Sequence, residues 1–197
     1  MKFLFMLTAI AVLTFGCSKD DNNGNGQSDS DATISDLVPR GEIVPLKERQ
    51  KALTGFDESE SAGARIQGEQ KWWETIGGKS ILFNVVCSGI KGNTSTEDLE
   101  IDETPHYHAF YPNGEIWEKE GSEEPSKTGT WEWTDANKNA VKVTIDDDDD
   151  NPEITTDNIY KITYLNADNL VYVTSLKYAE DNCKADVNIY IQFKAEE

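Results

Sequence analysis

His106 and His108 are the only two histidines of the chain. Residues two apart on a strand share a face, so both rings can address one metal ion. Imidazole pairs suit zinc or copper, but two ligands need company. Asp102 and Glu103 are near in sequence, in a loop with no fixed geometry. The pair therefore reads as the polar face of a strand beginning after Pro105, and no metal ligand is assigned. Asp146 to Asp150 is a run of five carboxylates. Hard cations such as calcium favour oxygen ligands, yet the run lacks the spaced Asp-x-Asp-x-Asp-Gly pattern of a calcium loop. Adjacent like charges read first as a solvated, extended loop. No Gly-x-Ser-x-Gly elbow and no Gly-rich phosphate loop is present. Carboxylates are so abundant that no pair stands out for glycoside hydrolysis. No catalytic residue and no cofactor is expected, and a carboxylate-dependent hydrolase is the least favoured reading.

The aromatic residues are the stronger lead. All five Trp fall between residues 72 and 133. Trp117, Trp131 and Trp133 lie on predicted neighbouring strands, with Tyr160 and Tyr164 nearby. Facing inward, these five either fill a barrel or line an apolar cup; facing outward, they offer a platform for sugar rings. Core filling is the ordinary use of large side chains in a small domain, and a pocket in a barrel mouth is the next. Trp117, Trp131, Trp133, Tyr160 and Tyr164 are the candidate ligand-binding residues.

Elements able to position them appear from residue 80 onward, where the apolar period becomes two. Val187, Ile189, Ile191 and Phe193 alternate with polar or amphipathic residues, as do Val141, Val143 and Ile145. Eight runs are predicted as strands: 80–87, 106–111, 115–120, 127–134, 140–146, 158–165, 169–178 and 187–195. Pro112-Asn113-Gly114, Asp135–Asn139 and Asn166-Ala167-Asp168 are short hairpin connections. Consecutive hairpins give an antiparallel meander, since parallel pairing needs crossover segments that are missing. Eight meandering strands lose their exposed edges by closing into an up-and-down barrel. Ahead of them, Ile43-Val44-Pro45 reads as extended, a short helix covers Leu46–Leu53 and ends near Gly55, and a second helix is predicted over 58–74. Residues 88–105 read as a long loop.

The start of the chain carries an address. Lys2 precedes an apolar run from Phe3 to Phe15, the length of a signal-peptide core and too short to cross a bilayer. Its end at Gly16-Cys17 resembles the lipobox of bacterial lipoproteins. Ser18-Lys19-Asp20-Asp21 looks like the Lys-Asp-Asp export tag of Bacteroidota surface lipoproteins. The resemblance implies acylation of Cys17, anchoring in outer-membrane lipid and exposure at the cell surface. The tract that follows has no apolar residue and reads as a flexible acidic tether. The expected organisation is a signal peptide over 1–16, lipidated Cys17 and tether over 17–40, a helical cover over 41–79 and a barrel over 80–197. With Cys17 acylated, Cys87 and Cys183 remain, and an oxidising compartment favours a disulfide over two buried thiols. The chain has 18 Lys+Arg against 37 Asp+Glu, a net charge of −19. That balance excludes a nucleic-acid partner and a basic lipid-coating surface.

Phe110–Trp117, Gly129-Thr130-Trp131-Glu132-Trp133, Tyr160-Lys161-Ile162 and Leu170-Val171-Tyr172-Val173 together resemble a bacterial lipocalin-like domain over roughly residues 70–197. The resemblance implies an all-β, eight-stranded antiparallel barrel. It implies a non-catalytic surface lipoprotein that holds a small hydrophobic ligand. The alternative is an interaction module with a filled barrel, serving as an accessory subunit of a nutrient-uptake complex or as an inhibitor.

Overall fold

The period-two pattern resolves into ten strands in a computed structural model that describes residues 37–57, 70–145, 158–180 and 182–196. They are β1 (Trp73–Cys87), β2 (Ile90–Lys91), β3 (Ser95–Asp98), β4 (His106–Phe110) and β5 (Glu115–Glu120). Then follow β6 (Ser126–Trp133), β7 (Ala140–Ile145), β8 (Asn158–Leu165), β9 (Asn169–Glu180) and β10 (Cys183–Ala195). From β4 to β10 each strand pairs antiparallel with the next. β1 pairs with both β10 and β4, closing an eight-stranded antiparallel barrel. Closure removes the free edges that an open meander would leave.

Two predicted elements differ from what is observed. The first barrel strand starts at Trp73 rather than at residue 80, so Trp73 and Glu74 are strand, not the end of a helix over 58–74. Trp73 is fully buried and paired across the sheet with Ala195 and His108, and that burial decides its conformation. Residues 58–69 of that predicted helix lie outside the described residues. The long loop over 88–105 carries β2 and β3, which fold back on β1 through Lys91↔Val86 and Ser95↔Leu82. Every side chain of these two strands is exposed, so backbone pairing holds them and no apolar period marks them. The short helix is present as a 3-10 turn at Leu46–Glu48 followed by α1 (Arg49–Thr54). It stops at Gly55, whose φ of 86° is the left-handed end that glycine accepts without strain.

Alternation sorts side chains into an inner and an outer face. Trp73, Phe110, Ile116, Trp131, Val141, Val143, Tyr160, Ile162, Leu165, Leu170, Tyr172 and Phe193 form the inner core, joined by Leu53 of α1. Ile81, Val171 and Tyr190 point outward and are covered by Val38. The preceding arm continues along the barrel through a parallel bridge between Ile43 and Leu165.

The two ends of the barrel differ. At the end where β1 begins and β10 finishes, α1 acts as a plug. Trp73 Nε1 donates to the Leu53 carbonyl at 2.8 Å, and Lys71 Nζ donates to the Ala52 and Ala167 carbonyls at 2.7 and 2.6 Å. At the other end the strands are unequal. The β8–β9 register runs only to Lys161↔Val173, and β1 meets β4 only at Trp73 and Glu74. Beyond those points β9, β10 and β1 continue together as a ribbon. Its inner face carries Leu82, Val85, Ala185 and Val187, with Leu176, Tyr178 and Ile189 half-buried beside them. At its tip Cys87 and Cys183, a registered pair 96 residues apart, form a disulfide.

Candidate functional site

The inner wall changes character along the barrel axis. Next to the plug it is a sealed aromatic stack. Tyr160 and Tyr172 rings lie 4.6 Å apart, Tyr172 and Phe193 4.9 Å apart, and Phe110 meets Trp131 edge-on at 5.7 Å. Towards the ribbon end the wall made by β4 and β5 becomes polar. The β4–β5 hairpin turns at Asn113-Gly114, with Gly114 at φ 87°, and this turn fixes the register His108↔Glu118 and His106↔Glu120. His108 approaches Glu118 Oε1 through Nδ1 at 3.2 Å and Thr75 Oγ1 through Nε2 at 3.1 Å. A carboxylate only accepts, so Nδ1 carries the proton in this arrangement. The His108 ring stands edge-on to Phe193 at 5.4 Å, which places it on the inner face. His106 Nε2 lies 3.4 Å from Asp102 Oδ2 and 3.9 Å from Glu120 Oε1.

These groups set the electrostatics of the interior. Burial, and secondarily the Glu118 carboxylate, push the Tyr160 phenol up to about 12. Tyr172 is also raised well above its ordinary value, by burial first, then by Tyr160 and Glu118. Both phenols therefore stay neutral hydrogen-bonding groups at any physiological pH. Among the described residues, no group of three or more His, Cys, Asp or Glu side chains is arranged to hold a metal ion.

The five aromatic candidates do not form one site. Trp131 and Tyr160 are core residues, 6% and 4% exposed. Trp133 packs edge-on against Trp131 at 5.4 Å, at the plugged end. Trp117 directly follows the inward Ile116, lies half-buried beside Tyr111, and donates through Nε1 to Glu115 Oε2 at 3.1 Å. Tyr164 belongs to the outer cluster, its ring against the backbone of Gly41. A register shift between Ile162 and Tyr164 turns that side chain away from the face Tyr160 occupies. Cys17 and Asp146–Asp150 lie outside the described residues.

The polar residues of the inner wall went unassigned as a group, although the sequence holds their signal. His106-x-His108 and Glu118-x-Glu120 are placed symmetrically about the Asn113-Gly114 turn, so a tight hairpin must pair them. A second concave feature lies at the plugged end. It is an open depression of about 540 Å3 lined by Gln50, Pro112, Asn113, Gly114, Trp131, Glu132, Trp133 and Lys138. No protein family, curated protein or solved structure matches this chain.

Proposed function

We propose that this protein is a lipid-anchored, non-catalytic binding protein of the bacterial outer surface. It holds a small hydrophobic ligand in the ribbon end of its barrel. The anchor rests on the Lys2–Cys17 segment and the Lys-Asp-Asp tract after it. One observation carries the ligand: the inner face passes from a sealed aromatic stack to half-buried side chains of mixed character. Leu176, Tyr178 and Ile189 of the ribbon supply apolar surface. His108 and Glu118, with 14% and 17% of their side chains exposed, supply oriented polar groups. An apolar wall with a few fixed polar groups is the usual make-up of a small-molecule site.

Ligand binding is tested with Nile red, a neutral apolar dye, on the native full-length chain, together with mass spectrometry of co-purifying small molecules. The dye should bind with enhanced emission, and Leu176→Asp should weaken it by at least about tenfold, as losing a central apolar contact does. A wild type that neither enhances the dye nor carries a small molecule would end the ligand reading. That result would favour the interaction module, for which the filled, plugged half is the supporting observation. Labelled palmitate should enter the wild type and not Cys17→Ala; equal labelling of both would remove the anchor.

A further inference from the structure

The depression at the plugged end is built from residues that the ligand site above does not use. Its floor is aromatic. Trp131 is immobilised by Nε1 donation to the Tyr111 carbonyl at 2.9 Å, and Trp133 by Nε1 donation to Gln50 Oε1 at 2.7 Å. Its rim includes two residues with hydrogen-bonding side chains, Asn113 and Lys138.

Both walls are held in place. On one side, Asn113 Oδ1 accepts from the Glu115 amide at 3.1 Å, and the Gly114 carbonyl accepts from the Trp131 amide at 2.7 Å. On the other, the Arg49 guanidinium of α1 donates to the Asn137 carbonyl, to the Lys138 carbonyl at 3.3 Å and to Asn139 Oδ1 at 2.7 Å. That clamp fixes the turn in which Lys138 adopts a positive φ of 52°. Lys138 Nζ sits 5.8 Å from the Trp133 ring centre. A rigid aromatic surface loses little entropy when something stacks on it.

We propose that this depression is a second binding site, for a neutral saccharide. A pyranose ring presents an apolar C–H face to an aromatic floor and hydroxyls to a rim that both donates and accepts. A hydrocarbon chain would strip water from Asn113 and Lys138 without replacing their hydrogen bonds. An anionic ligand would meet a chain of net charge −19. The volume of about 540 Å3 lies within the usual range for small-molecule sites.

Calorimetry and tryptophan fluorescence on the native full-length chain test this. The probes are maltohexaose, cellohexaose, xylohexaose and N-acetylchitohexaose, with a heparin oligosaccharide as the polyanion. At least one neutral probe should bind and change the tryptophan emission, and Trp133→Ala should weaken it by at least about tenfold. Lys138→Gly keeps the turn, because glycine accepts positive φ, and should weaken binding several-fold. Trp72→Ala, whose ring lies under Lys119 on another surface, should bind as the wild type does. Absence of binding to every neutral probe, or binding of the polyanion alone, overturns the proposal. So does a folded Trp133→Ala that binds within about twofold of the wild type. Should Trp133→Ala fail to fold, Lys138→Gly decides, and unchanged affinity there overturns it.

Discussion

The plugged end and the ribbon end are made from the same strands yet are held together by different means. At the plugged end, Leu53 enters the barrel core and Trp73 and Lys71 bond to the backbone of α1 or its surroundings, so side chains close the structure in three dimensions. At the ribbon end, β9, β10 and β1 are a sheet whose apolar face buries Leu82, Val85, Ala185 and Val187, and a covalent bond joins its tip. Large aromatic and aliphatic side chains pack the first region, whereas the second adds a cross-link to a smaller buried apolar cluster. Regions with few buried contacts open at lower free energy than the core does. The larger packed cluster and the covalent cross-link thus lie at opposite ends of one barrel.

The largest effect should come from breaking the plugged end. Trp73→Ala should destabilise the protein by about 3–5 kcal/mol, because it removes a fully buried indole and its bond to the Leu53 carbonyl. Urea unfolding followed by far-UV circular dichroism reads this out, and a loss confined to tenths of a kcal/mol would show that the plug is not the stable half. Removing the disulfide with Cys87→Ser and Cys183→Ser together should cost about 2–4 kcal/mol. Hydrogen exchange should then show early loss of protection in 80–87 and 183–190, with β5–β7 unchanged. Uniform loss around the barrel would erase the distinction between the ends.

The smallest effect concerns pH. Burial lowers Lys71 to about 8, the nearby Asp168 carboxylate partly opposing it. Between about 8 and the unfolded value of 10.5 the folded state has shed a proton that the unfolded state keeps, so stability rises with pH there. Tyr160, raised to about 12, works the other way. Its stabilising contribution is complete below the unfolded value of 10.0 and is lost as pH climbs towards about 12. Melting temperature should therefore climb modestly above pH 8 and fall beyond pH 10, and Lys71→Met should flatten the rising limb alone.

Most of the barrel is legible because one buried face enforces a period of two. The strands predicted at 115–120 and 158–165 match β5 and β8. The first half of β1 is not legible. Ile76-Gly77-Gly78 interrupts the alternation where the register shifts against β10, and a bulge of this kind reverses which residues face inward. β2 and β3 escape detection because their side chains bury nothing. The same physics decides the candidate site. Trp131 and Trp133 share a face, as their spacing implies, and Tyr160 joins the core from β8. Tyr164 has the same alternation as Tyr160 in sequence, but the shift after Ile162 sends it outward. Trp117 and Ile116 are both apolar neighbours, and sequence alone does not say which turns in. The disulfide was legible from counting cysteines; its position as a registered cross-strand pair required the topology.

The seam between β1 and β10 has a consequence during synthesis. Its partners are the first and last strands of the barrel, and Glu196 N donates to the Trp72 carbonyl at 2.9 Å. A growing polypeptide thus displays an unpaired β1 edge until β10 emerges, and long-range pairings of this sort form slowly. Truncated translation products would keep two open edges prone to joining with other chains. Their sulfhydryl at position 87 would also have no mate, so an unfinished molecule carries a chemical mark that the completed one has lost.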